Sequence, residues 1–277
     1  MSNVVEIVIE EHIAVVRLNR PEKHNALDRE SFTAIIEAGE RLAEDASVRV
    51  VILTGAGESF CAGIDRSIFE DEDASALAGD VMRPRGATGA NFYQSAAMVW
   101  RDLPVPVIAA VHGVAYGAGL QVALAADLRL AAPSSRFSIM EIRWGIIPDM
   151  GISATLRHIM PADRIKLLAY TGNVIDGAEA FRQGLVTELH DEPLAAAHVL
   201  AEQISQRSPQ AVRAIKSLLN RSLDEPVEHA LRHEAELQLT LLGSPDQKEA
   251  VMANLHKREP SFRYPRSGAE QNKADRK

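Results

Sequence analysis

The chain has little cysteine, few aromatic residues and hardly any long uncharged stretch, and each shortage narrows what it can be. A single cysteine, Cys61, among 277 residues leaves no partner for an internal disulfide and suits a reducing compartment. A disulfide-stapled secreted scaffold is thereby excluded. Thirty Lys and Arg stand against 38 Asp and Glu, a formal net charge of -8. That balance argues against a surface built for nucleic acid or an anionic membrane, although a local basic patch can still grip an anionic ligand. No Gly-x-Gly-x-x-Gly, Walker loop or Gly-x-Ser-x-Gly elbow is present, so the usual signatures of nucleotide binding and of serine hydrolysis are missing. His229 and His233 lie four apart, but no His-Glu-x-x-His pattern surrounds them and their charged neighbours describe a solvated helix face. No metal site is expected.

The opening MSNVVEIVIEEH has early acidic residues and no apolar core of signal-peptide length, and the final Ala274-Asp275-Arg276-Lys277 matches no retention or peroxisomal address. The expectation is a cytoplasmic protein. With 46% hydrophobic and 25% charged residues, the composition is that of a soluble chain able to bury a substantial core. The one long uncharged run, Val105 to Ala126, is long enough to span a bilayer, yet Pro106, His112, Gln121 and three glycines interrupt it. Breaks of that kind would strand backbone groups in hydrocarbon, so no membrane span is expected.

That run reads instead as a buried strand, a glycine-rich turn and a close-packed helix start. An earlier segment repeats the design: Val48 to Gly55 is a β-branched strand, and Glu58 to Asp65 behind it again places small residues where backbone must be reachable. If the fold brings the two turns together, their N–H groups can hold one oxygen that turns negative during a reaction, an enolate or a tetrahedral oxyanion.

Around these pieces, Glu6 to Glu10 and Ile13 to Asn19 alternate as a hairpin, and Asp28 is the expected N-cap of a helix over 29–46. A helix is expected over 91–101, a strand over 128–132, and helices over 153–160 and 162–170. Arg66 to Gly89, acidic and then Gly- and Pro-bearing, reads as a mobile connection suited to a lid or pocket wall. From Leu194 the alternation of strand and helix gives way to helices over 194–206, 209–221, 226–242 and 246–257. The division expected is a core over 1–193, a helical region over 194–258 that closes the site and joins subunits, and a flexible tail over 259–277.

Four ordered blocks resemble the crotonase superfamily, the enoyl-CoA hydratase/isomerase family, over about residues 5–262. They are Leu18-Asn19-Arg20-Pro21 with Asn25-Ala26-Leu27; Phe60-Cys61-Ala62-Gly63-Ile64-Asp65; Pro106 to Gly113 with Gly117-Ala118-Gly119; and Glu141 with Gly145-Ile146-Ile147-Pro148. The resemblance implies an α/β spiral of ββα units followed by C-terminal helices, a homotrimer or homohexamer, and an acyl-coenzyme A thioester as substrate, with no cofactor beyond it. By motif position it implies oxyanion-hole amides from Ala62 and Ala118. It also places Ala62, Gly63, Ile64, Asp65 and Gly117 along the thioester, and Lys257 and Phe262 against coenzyme A.

Family members that hydrate a double bond carry two glutamates sharing a water. Here the first position is Gln121 and the second is Glu141. An amide orients water but does not exchange a proton as a carboxylate does, so a two-carboxylate hydration relay is impaired. Asp149 supplies a carboxylate where hydratases usually carry glycine, and a similar aspartate marks the dienoyl-CoA isomerase branch, which Gly63-Ile64-Asp65 also resembles. That branch often has an aspartate at the position of Gln121. The expected catalytic set is therefore Glu141, Asp149 and Gln121, shifting a double bond. The alternatives are a hydratase with Glu141 working alone on a water held by Gln121, and an acyl-CoA-binding protein that has lost the chemistry. Asp149 could also cap the following helix, Cys61 reads as a packing residue beside Ala62, and Arg143 and Trp144 as pocket wall or core.

Overall fold

Alternation of side chains sets the frame. In the computed structural model, which describes residues 4–68, 79–85, 89–222 and 225–262, β1 (Val5–Glu10) and β2 (Ile13–Leu18) form the expected antiparallel hairpin. Glu11 and His12 make its turn at positive φ. β3 (Val50–Gly55) is buried throughout and splits by parity: Val51 and Leu53 join a large core on one side, while Val50 and Ile52 join a smaller one on the other. Burial on both faces is why this strand reads as a continuous apolar run.

The helix α1 (Arg29–Glu44) starts where Asp28 Oδ1 accepts the Ser31 N–H at 2.8 Å. Its buried stripe of Phe32, Ile35, Ile36 and Leu42 meets α2 (Phe92–Asp102), whose N-terminus is closed by reciprocal bonds between Asn91 and Gln94. β4 (Val107–Val111), β5 (Val114–Tyr116), α3 (Ala118–Leu124), β6 (Leu128–Ala131) and β7 (Arg136–Ser138) follow in close succession. After them come α4 (Ile152–Thr155), α5 (Ala162–Thr171), β8 (Ile175–Asp176), α6 (Gly177–Arg182) and β9 (Glu188–Leu189). The strands form a six-stranded sheet in the order β1-β2-β3-β4-β6-β9, parallel beyond the first hairpin, and a three-stranded sheet in the order β5-β7-β8. Chain repeatedly passes from the large sheet to the small one, and the passages near β5 carry the site.

One expectation changes. The helix foreseen over 153–160 is α4 followed by a tighter 3-10 turn over Leu156–His158. There the Thr155 hydroxyl bonds back to the Gly151 carbonyl, a pattern that bends helices. The first helix of the C-terminal region, α7 (Pro193–Ser205), is a wall of the core: Ala197 and Ala201 are fully buried against β3, β4 and β6. α8 (Pro209–Ser222), α9 (Val227–Leu241) and α10 (Pro245–Leu255) continue outward, and no residue of α9 is buried. Of the connection foreseen over 66–89, residues 69–78 and 86–88 lie outside the described residues, as does the tail from 263 onward.

Candidate active site

Two glycines draw the two turns together. A Cβ at Gly119 would lie 2.5 Å from the Cys61 carbonyl oxygen, so α3 can approach the Cys61 loop this closely only without a side chain there. Gly63 adopts φ +102, and a Cβ on it would press to 2.9 Å from the Tyr116 carbonyl oxygen. The loop itself is stitched on both sides. Cys61 N–H donates to Val114 O and Tyr116 N–H to Cys61 O, while Leu27 N–H donates to Gly63 O and Asp65 N–H to Leu27 O.

This stitching corrects one expectation. Ala62 N–H is spent on the His24 carbonyl at 2.9 Å, because His24 and Asn25 both take positive φ and turn that carbonyl toward the loop. The amide left open in the loop is that of Ile64. Neither Ile64 N–H nor Ala118 N–H meets an acceptor among the described residues, and the two belong to the segments that Gly63 and Gly119 bring together. Sequence reasoning placed the first amide two residues early; the parallel bridge between Leu27 and Ile64, which decides it, is a tertiary feature.

Around these amides lies a cavity of about 430 Å³ lined by Ala62, Gly63, Ile64, Asp65, Gly117, Ala118 and Glu141, all singled out from the sequence. Lys23, Ala26, Arg66, Met140, Trp144 and Ile146 complete it; Trp144, and Arg66 at the start of the 66–89 connection, are the ones expected as pocket wall. Lys23 and Arg66 supply positive charge, and the Arg66 guanidinium stands 6.0 Å over the Trp144 ring. Arg143 instead donates to the Gly172 carbonyl at 2.7 Å. Asp65 accepts from Arg20 at 3.1 Å, and Arg20 also meets Asp28 at 3.1 Å. Burial works to raise the Asp65 carboxyl, but bonds from Ser67 and Arg20 prevail and hold it below the usual range.

Glu141 opens a 3-10 turn over Glu141–Trp144 and is buried. Its Oε1 accepts the Gln121 amide at 2.6 Å; its Oε2 is buried with no partner among the described residues. Burial pushes this carboxyl up from its ordinary value; its own backbone N–H and the Gln121 amide pull it down, and the charge of Asp149 adds to the rise. Burial likewise raises Asp149. Gln121 and Asp149 are not among the residues that line the cavity; Gln121 lies behind Glu141, its own carbonyl accepting Met150 N–H at 2.8 Å. Asp149 does not cap α4, whose N-cap is Gly151. Cys61 is a packing residue: burial pushes its thiol up to about 12, and Sγ donates to the Asn25 carbonyl.

Lys257 and Phe262 are not brought to the cavity. Past α10 the chain turns at Lys257, which has φ 52, and Arg258 pairs with Glu249 at 2.6 Å. The Phe262 carbonyl then accepts from Arg49, on the side of the β1–β2 hairpin.

Two open amides in residues lining one cavity, beside a buried carboxyl that burial raises, are groups of the kind able to make and hold an enolate. The family model for enoyl-CoA hydratase/isomerase matches residues 8–265. The chain belongs to the enoyl-CoA hydratase/isomerase family. It is 36% identical over 266 residues to an (E)-benzylidenesuccinyl-CoA hydratase of Thauera aromatica, covering 94% of this chain and 98% of that one. It is 31% identical to the mitochondrial Delta(3,5)-Delta(2,4)-dienoyl-CoA isomerase of Homo sapiens, covering 90% of this chain and 78% of that one. Among solved structures, an enoyl-CoA hydratase from Bacillus anthracis superimposes with a TM-score of 0.87 at 29% identity, covering 95% of this chain and all of the other. The α/β spiral expected from the sequence is thus the fold of this hydratase/isomerase family member.

Among the described residues, no helix is long and apolar enough to cross a membrane, and no group of three His, Cys, Asp or Glu is placed to hold a metal.

Proposed function

We propose that this enzyme shifts a double bond in an enoyl- or dienoyl-coenzyme A thioester. The thioester carbonyl oxygen sits between the Ile64 and Ala118 N–H groups, which makes the adjacent carbon acidic. Glu141 removes a proton from that carbon, the dienolate oxygen is held by the two amides, and Asp149 returns a proton farther along the chain. No water is added, and no cofactor is needed beyond the thioester itself. Removing a donor of this kind typically costs about 3 kcal/mol of transition-state stabilisation.

The observation that carries the reading is the lock on Gln121. Its amide nitrogen is committed to Glu141 and its carbonyl to Met150, so position 121 holds no proton-exchanging partner that could share a water with Glu141. The second carboxylate is Asp149, whose charge acts on Glu141. The reading requires a substrate chain that passes Glu141 and reaches Asp149, which does not itself line the cavity. In deuterium oxide, the enzyme is expected to convert a 3-enoyl or 3,5-dienoyl thioester to the conjugated isomer with deuterium at the distal carbon. Glu141→Gln removes turnover and Asp149→Asn removes the distal label; full activity of either variant would sink the assignment.

A second reading, hydration by Glu141 alone, draws on the hydratase names of relatives such as the Thauera aromatica protein. It predicts that Gln121→Glu raises water addition to a 2-enoyl thioester, followed by loss of the conjugated absorbance.

We also propose a cytoplasmic homotrimer or homohexamer. Support comes from α9, which leaves Val227, Leu231 and Leu239 exposed with no residue buried.

A further inference from the structure

A carboxamide has two chemically opposite ends, and which end faces which neighbour decides what a neighbour can do. At Gln121 the choice is made by the backbone. Met150 N–H can only donate, so the Gln121 oxygen must face it, and the 2.8 Å contact does so. The Gln121 NH2 is therefore forced toward Glu141 Oε1, 2.6 Å away, and it can only donate. Oε1 is fixed as an acceptor. The other oxygen, Oε2, belongs to a residue 6% exposed and has no partner among the described residues.

We propose that Gln121 is a positioning residue that keeps Glu141 in its proton-accepting form and leaves Oε2 as the favoured atom on which the abstracted proton is carried. The step rests on the proton-transfer role given to Glu141 above. It balances simply: the C–H bond next to the thioester breaks, its electron pair passes into the dienolate, and the proton goes to Oε2. A protonated Oε1 accepts the Gln121 N–H more weakly than a carboxylate or carbonyl oxygen does, so the proton is favoured on Oε2.

The charged groups about Glu141 are few. Asp149, in the turn before α4, opposes its ionisation; Lys23, Asp65 and Arg66 stand on the same cavity; Arg143 on its own turn is bound to Gly172. α3 contributes only the neutral Gln121, and α5, packed on the turn, carries Asp163, Arg164 and Lys166, none of which acts on Glu141. Gln121 is thus the neighbouring side chain that works against burial and Asp149, although burial prevails.

The test is the Glu141 carboxyl titration, read by carbon NMR on 13C-glutamate-labelled full-length protein and assigned with Glu141→Gln. In Gln121→Met, similar in size but without the donor, Glu141 should titrate at higher pH than in the unmodified enzyme. Its kcat at neutral pH should fall roughly tenfold, with KM unchanged and the loss recovered as pH rises. A structural defect would not be repaired by alkali. An unshifted titration in folded Gln121→Met overturns the proposal. Should that variant not fold, Gln121→Glu reads the same contact: Glu141 and the introduced carboxyl should titrate as two linked steps sharing one proton, and independent titration overturns the proposal. Because the titration needs no turnover, an enzyme that hydrates instead of isomerising would defeat the proposed reaction and leave this result standing.

Discussion

At the scale of single residues, the site trades stability for chemistry, and Glu141 is where the trade is visible. Its folded-state carboxyl is elevated chiefly by burial. A carboxyl elevated in the fold binds its proton more tightly there than in the unfolded chain. The fold therefore loses stability as pH rises from the unfolded value, about 4.3, through the folded one, and the penalty vanishes below both. Glu141→Gln should thus melt higher than the unmodified protein at pH 8, with the gain shrinking toward pH 4 in a series of melting scans. The same variant should lose roughly 10³-fold in turnover while still binding thioester, measured by titration calorimetry. Gly63→Ala tests the amides: a Cβ at φ +102, 2.9 Å from Tyr116 O, must shift the Ile64 N–H. About 10²-fold in kcat should go with little change in coenzyme A affinity. Most cavity residues were legible in the sequence because their motifs resemble those of the enoyl-CoA hydratase/isomerase family, and the small residues of the two turns also marked reachable backbone. The open amide at Ile64 was not, because which N–H groups are consumed depends on the carbonyls of His24 and Leu27, dozens of residues away.

At the scale of elements, strands and capped helices followed from local chemistry. Asp28 and the Asn91–Gln94 pair fix the starts of α1 and α2 through bonds within one turn, so their sequences suffice. The start of α4 and the placement of α7 depended on partners that sequence periodicity does not name. α8 offers an example of a contact invisible to pattern. Lys216 sends its ammonium inward, 2.8 Å from Asp127, and donates to the Val105 and Trp100 carbonyls. Burial lowers its pKa while Asp127 supports the charge. This pins α8 to the loop between α2 and β4. Lys216→Met would leave Asp127 and two carbonyls without their cation, and urea unfolding should record a loss of about 3 kcal/mol. A change below about 1 kcal/mol would mean the clamp is dispensable.

At the scale of the whole molecule, one sheet supplies rigidity and a smaller one supplies the site. β3 and β4 hold the backbone; β5, reached from β4 within three residues, holds the Cys61 loop and leads directly into α3. Most of the length of the chain is scaffold for two amides and a carboxylate. The outer helices show apolar residues that this chain alone leaves uncovered, and sedimentation equilibrium should give three or six times the 30.2 kDa chain mass. A monomer at all concentrations would contradict that assembly. Neither the tertiary position of Lys257 and Phe262 nor the way copies meet can be read from one chain's pattern, because both depend on surfaces rather than on period.

The central claim is that Glu141 and Asp149 move a proton without adding water, and the most direct measurement is product mass in heavy-oxygen water. Purified enzyme is incubated with 2-enoyl, 3-enoyl and 3,5-dienoyl coenzyme A thioesters, and products are read by mass spectrometry and NMR. The account predicts a relocated double bond with no gain of labelled oxygen. Uptake of the label into a hydroxyacyl product, with no isomer formed, would contradict it and give the site to hydration; binding without any product would contradict catalysis on these substrates.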